Sequence, residues 1–171
     1  MNIQPNELHR ESFSVIGFSQ IFQTNEGYAK CPQFWDEMFA KRFAKLFQRG
    51  KPETPEEQAV IDNCIGEFAL CRMLPGGKEF EYMIGGTYRG GAVPDSMKLF
   101  SLPESDWLEF KIKGPLPTSL QTLNSYIWEV WMPAHQEQYT QRDGIDLECY
   151  SAGNPNSPDY ECGICVPIRG L

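Results

Sequence analysis

Few residues of this chain have the type and spacing for chemistry, and one acid dominates them. The segment "GIDLECYSAG", residues 144–153, has the pattern of a half-buried strand and carries Glu148 in its middle, with Tyr150 two positions on. In extended backbone Asp146, Glu148 and Tyr150 share one face, and Leu147 and Cys149 share the other. If the Leu147 face packs on helices, the acidic face turns to solvent or to a groove. A carboxylate partly withdrawn from water carries a desolvation cost. An organic cation offsets that cost and a neutral analogue of the same shape does not. The pKa of such a carboxyl rises while the site is empty. The alternative for Glu148 is an ordinary solvent-facing strand residue.

Aromatic rings would complete such a site. Their faces attract cations by roughly 0.5–2 kcal/mol per contact, and they bury planar ligand rings. Off the expected helix faces stand Phe18, Tyr28, Tyr82, Tyr88, Trp107 and Tyr150. Tyr150, Trp107 and Tyr88 are the pocket candidates, and Trp131 joins them because it closes a helix. Trp35, Phe39 and Trp128 fit helix-to-sheet core instead. Core or rim packing is the competing reading for every one of these rings.

No other chemistry is signalled. The two histidines, His9 and His135, lie in polar flanks, and no nucleophile–base constellation, metalloprotease motif or phosphate loop is present. Of the six cysteines only Cys162 and Cys165 have motif-like spacing, in "ECGIC". In a strand, positions three apart point to opposite faces, so they read as small core residues and not as metal ligands. The sequence offers no catalytic residue set, no metal site and no cofactor motif.

Composition narrows the classes. A chain of 171 residues with 41% hydrophobic and 22% charged content folds into one ordinary domain or two small fused units. A net charge of −8 opposes a phosphate backbone and argues against direct nucleic-acid binding. The polar start "MNIQPNELHR" lacks the apolar core of a signal peptide, and no run approaches the ~18 apolar residues of a membrane span. The expected location is therefore cytoplasmic, with reduced thiols.

The elements that must position Glu148 follow from periodicity. Residues 11–23 read as a strand, "TNEGYAKCP" as a loop, and residues 33–48 as one amphipathic helix with Phe34, Trp35, Met38, Phe39, Phe43, Leu46 and Phe47 on its apolar face. Thr54, Pro55 and Glu57 open a second, short helix as cap, first residue and capping-box acid. "EFALCRML" and "EFEYMIGGTY" form a hairpin around "PGGK". Residues 89–105 read as a Gly/Pro-rich linker. "DWLEFKIKG" is a strand with Leu108, Phe110 and Ile112 on one face, and "PLPTSLQTLNSYIWEVWMP" is a helix that stops near Pro133. "IDLECYSAG" and "DYECGICVPI" pair around a turn-rich loop. Strand, helix and hairpin thus occur twice, over residues 11–90 and 106–169. Laid side by side, the halves set Leu70 against Glu148, Ile84 against Ile164 and Trp35 against Trp128.

The second half resembles GyrI-like effector-binding domains, which occur at the end of AraC-type and MerR-type multidrug-responsive regulators and as free-standing proteins. The resemblance is carried by Trp131-Met132-Pro133 at a helix end, Glu148 with Tyr150, and Val166-Pro167-Ile168 at a strand end. "FSVIGFSQIFQ" followed by "CPQFWDEMF" is similar to the family's opening. The resemblance implies an α+β fold of two pseudo-symmetric β-α-β-β units, an SH2-like duplication with antiparallel sheets, flanking helices and a central groove. It makes residues 1–171 a single, free-standing domain without a DNA-binding half. It implies that Glu148 meets cationic, lipophilic ligands. It also leaves two alternatives: a small hydrolase using a pocket Glu and Tyr, and a protein partner such as a topoisomerase or a separate regulator.

Overall fold

The computed structural model describes residues 1–170. Two β-α-β-β units share one curled antiparallel sheet. In the first, β2 (Phe13–Gln23) leads through α1 (Gly27–Met38) and α2 (Ala44–Arg49) and then α3 (Pro55–Asp62) to the hairpin β3 (Phe68–Met73) and β4 (Glu79–Thr87). In the second, β6 (Ser105–Lys113) leads through α4 (Thr118–Tyr126) and α5 (Met132–Ala134) to β8 (Ile145–Tyr150) and β9 (Glu161–Gly170). The strand order β6-β9-β8-β3-β4-β2 reads the same from either end, unit two mirroring unit one across the β8–β3 pair. Short strands extend it: β1 (Asn6–Arg10) beside β6, β5 (Lys98–Leu102) beside β2, and β7 (Tyr139–Gln141) beside β9.

The central strands are apolar on both faces, and the structure explains why. Ile16, Phe18, Ala69, Tyr82 and Ile84 pack under α1 and α3, and Leu108, Phe110, Cys162, Ile164 and Val166 pack under α4. The opposite face gathers Val15, Leu70, Met83, Leu102, Trp107 and Leu147 into a third cluster. Curling makes that cluster. The rings of Phe13 on β2 and Trp107 on β6 stand 6.1 Å apart although four strands lie between them in the sheet. Tight strand approach is built in at one glycine of each unit: a Cβ on Gly85 or Gly163 would stand 2.6 or 2.5 Å from the carbonyl oxygen of Ile16 or Phe110 on the neighbouring strand.

Several expectations change. The stretch read as a linker contains β5, and the polar N-terminus forms β1. The first helix starts at Gly27, inside the expected loop, and runs through Pro32. Proline has no N–H to give the carbonyl of Tyr28, one turn back. That carbonyl is satisfied from outside, by the Gln121 side-chain amide on α4 at 2.8 Å. The expected single helix over 33–48 is broken by a π-turn at Phe39–Phe43, which leaves Phe39 and Phe47 exposed. A matching π-turn spans Ile127–Trp131, and the chain stays helical past Pro133 to Ala134. The Thr54 cap forms as expected, its hydroxyl accepting from the Glu57 N–H at 3.1 Å. Among the described residues no helix is long and apolar enough to cross a membrane.

Candidate functional site

Glu148 lies on the strand next to the pseudo-two-fold, on the face the helices cover. The alternation expected for β8 holds, but the assignment of faces is reversed. Leu147 packs into the curl of the sheet and Cys149 lies against the same cluster, while Glu148 and Tyr150 look toward α1 and α4. Register also revises the internal repeat. Leu70 pairs with Leu147 and shares its face, so it is not the counterpart of Glu148. Ala69 is, and it stands directly opposite Glu148. One row crosses the sheet as Phe110, Ile164, Glu148, Ala69, Ile84 and Phe18. Every other member is apolar, and the methyl of Ala69 leaves room above the sheet between the two helices. The acid therefore sits where the symmetry of the halves would place a small apolar residue.

Three side chains hold its carboxylate. The Tyr150 hydroxyl donates to Oε2 at 2.7 Å, the Tyr82 hydroxyl donates to the same oxygen at 3.3 Å, and the Cys71 thiol donates to Oε1 at 3.6 Å. The Trp35 indole N–H donates to the Tyr82 hydroxyl at 2.8 Å, and its ring meets Tyr150 edge-on with centroids 5.0 Å apart. Each donor comes from a different place: α1, β3, β4 and β8. Asp146 is buried one pleat away on the same face, opposite Cys71.

What is missing is a basic group. Among the described residues neither Glu148 nor Asp146 forms an ion pair, whereas buried Glu81 has two, with Lys98 Nζ at 2.6 Å and Arg72 Nη2 at 2.9 Å. The pKa directions follow. Burial pushes Glu81 up, but Lys98 and Arg72 outweigh it and hold that carboxyl below its usual range. Burial pushes Glu148 up, and the hydrogen bonds from Tyr150, Cys71 and Tyr82 only partly oppose the rise. Asp146 is pushed up to about 7, by burial and then by the charge of Glu148, against the hydrogen bond of Cys71. Burial and the Glu148 charge likewise raise the phenols of Tyr82 and Tyr150 and lift the Cys31 thiol to about 12. The site is thus a partly buried patch of negative potential held by neutral donors and bordered by two aromatic rings. It can hold a cation without having to expel a resident lysine or arginine.

Of the residues singled out in the sequence, the structure brings Glu148 and Tyr150 together and separates the rest. Trp107 alternates with Leu108 and Phe110, so it points into the curl of the sheet, on the face away from Glu148. Trp131 is buried in the core of unit two, edge-on to Phe110 at 5.1 Å and stacked on His135 at 3.9 Å. Tyr88 follows the end of β4 and hydrogen-bonds the Gly91 carbonyl. The residues found in their place are Trp35, Tyr82, Cys71 and Asp146. Asp146 has a local signal, as a second acid on the face of Glu148, and Tyr82 a weaker one, as an aromatic off the helix faces. The other two depend on cross-strand pairing and on where α1 lies.

The family described as GyrI-like small molecule binding domain matches residues 3–169. Among solved structures the chain is similar to SAV2435 bound to tetraphenylphosphonium, with a TM-score of 0.77 at 17% identity over 97% of this chain and 94% of that one. A protein from Staphylococcus aureus MU50 gives a TM-score of 0.76 at 16% identity over 99% and 100% of the two chains. The EcmrR C-terminal domain gives 0.59 at 14% identity over the whole of both. At such identities the likeness is one of fold. No curated protein matches by sequence.

Proposed function

This chain belongs to the GyrI-like small molecule binding domain family, and from that premise we propose that it binds lipophilic organic cations at Glu148. One observation carries the reading: a carboxylate removed from most of its water, held by three neutral donors and, among the described residues, in no ion pair with a basic side chain. A bound cation supplies the missing charge and offsets the desolvation cost. Trp35 and Tyr150 supply ring faces for it. The tetraphenylphosphonium seen in one structural neighbour has the chemistry such a site would take. Sensing or sequestration of such compounds is the role this reading supports, with a regulator as the natural recipient of the signal.

Hydrolysis by Glu148 and a tyrosine is the weaker reading. A general acid works best with a pKa near the operating pH, and burial beside the carboxylate moves both phenols the opposite way. Calorimetric titration with tetraphenylphosphonium and with tetraphenylborate tests the proposal, because the two ions share shape and differ in the sign of charge. Binding of the cation with at least tenfold preference supports it. Equal affinities, or no binding of either, refute it.

A further inference from the structure

A cavity of about 400 Å³ opens beside the carboxylate site, lined by Phe47, Val60, Ile61, Cys64 and Ile65 with Tyr150 as its inner wall. Its volume falls within the ~300–1,000 Å³ of pockets that take drug-sized ligands. Its walls come from α2, α3 and the turn that follows in unit one, and from Tyr150 to Ala152 at the end of β8 in unit two. Phe47 is 55% exposed and Ile61 45% exposed, so two large apolar side chains stand at its mouth. The π-turn at Phe39–Phe43 is what separates Phe47 from the buried face of its helix.

The cavity and the carboxylate share a wall. Tyr150 lines the cavity, and its hydroxyl donates to Glu148. Gly66 lies on the cavity floor, and a Cβ added there would stand 4.0 Å from the Trp35 ring. Tyr150 is therefore the residue that the charge site and the cavity have in common, and Trp35 stands behind the cavity floor at Gly66. We infer that this cavity is a second subsite, taking an aryl or bulky aliphatic arm of a cation whose charge rests at Glu148. The inference builds on the function proposed above. It adds a size and shape requirement: a compact cation such as tetramethylammonium reaches the carboxylate and leaves the cavity empty, while an aryl-bearing cation fills both.

Cys64 is a native reporter, since it is exposed and lines the cavity. The experiment follows its alkylation by N-ethylmaleimide through peptide mass spectrometry, in the full chain, with calorimetry measuring occupancy in parallel. Saturating tetraphenylphosphonium slows Cys64 alkylation at least tenfold, and tetramethylammonium at matched occupancy leaves the rate within twofold. The variant Ile61→Lys, at an exposed position, weakens tetraphenylphosphonium at least tenfold and tetramethylammonium less than twofold. If tetraphenylphosphonium binds by calorimetry but Cys64 stays fully reactive, the subsite is wrong and the Glu148 reading stands. If Ile61→Lys weakens both cations equally, the effect is one of long-range charge, and the subsite is again wrong. If neither cation binds, both readings fall.

Discussion

Lowering the pH from 8 to 6 should weaken cation binding about tenfold, through Asp146. That carboxyl titrates at about 7, so its ionised fraction falls from roughly nine-tenths to one-tenth across the interval. Asp146 and Glu148 are two residues apart on one strand face, ~6.6 Å at ~3.3 Å per residue. A cation near Glu148 at that distance from Asp146 gains about 2.5 kcal/mol at an effective dielectric of ~20, or roughly 70-fold in affinity when Asp146 is fully charged. Weighting that by the two ionised fractions leaves a ratio of roughly ninefold between pH 8 and pH 6. Because the two carboxyls interact, protons leave the pair in shared steps, and the raised Glu148 extends the fall to lower pH. Calorimetry with tetraphenylphosphonium in buffers of different ionisation enthalpy reads both the affinity and the protons released on binding. In Asp146→Asn the affinity at pH 8 drops and the slope between pH 8 and 6 flattens. An affinity that is constant across this interval, or one that rises as pH falls, would refute the reasoning.

Three further outcomes follow from the same geometry. The folded-state pKa of Asp146 lies above its ordinary value, so the native state holds more protons between about pH 4 and 7, and stability falls as pH rises through about 7; Asp146→Asn removes that cost, and thermal melts at pH 8 should show it more stable than the parent by a few kcal/mol. Trp35→Phe keeps a ring on Tyr150 but removes the N–H that orients Tyr82, and it should weaken tetraphenylphosphonium about fivefold by calorimetry, the equivalent of ~1 kcal/mol. Tyr28 ties the N-terminus of α1 to α4, its hydroxyl donating to the Gln121 carbonyl at 3.2 Å, standing 2.9 Å from the Ser125 hydroxyl and accepting from Asn124. Tyr28→Phe should cost about 1 kcal/mol and speed hydrogen exchange in α4 more than in the sheet.

Local rules read the elements well where one residue type decides the outcome. The Thr54 cap, the alternation of Leu108, Phe110 and Ile112, and the β3–β4 hairpin all stand in the structure as the sequence indicates. Strand pattern draws attention to Glu148 and Tyr150, and it is the family resemblance that implies a ligand role for Glu148. The rest needed tertiary information. A sheet buried on both faces hides which face the helices take, and with it the side on which Trp107 lies. Its alternation with Leu108 and Phe110, both under α4, puts it on the far side. A shift of one residue in strand alignment exchanges the faces; setting Leu70 instead of Ala69 against Glu148 was such a shift, and only the β3–β8 register resolves it. Tyr82 stands out in the sequence only as one of several aromatics off the helix faces, and Cys71 and Trp35 carry no signal of their own, because their role depends on three separate elements converging on one carboxylate. Pro32 is legible only afterwards, as the reason the Tyr28 carbonyl is free to take the amide of Gln121.

The central claim is that Glu148 sets the charge preference of the site, and the most direct test is that preference in Glu148→Gln. The substitution keeps shape and can still accept from Tyr150 and Tyr82, while the charge is gone. Losing one partner of a buried charge pair costs at least ~2 kcal/mol, so the affinity for tetraphenylphosphonium should fall by roughly 30-fold. The affinity for tetraphenylborate should hold or rise, so that the preference for the cation shrinks at least ~30-fold while Asp146 keeps a remainder of it, with the circular dichroism spectrum and melting profile still those of a folded chain. A folded Glu148→Gln protein that keeps the parent's preference for the cation would contradict the account.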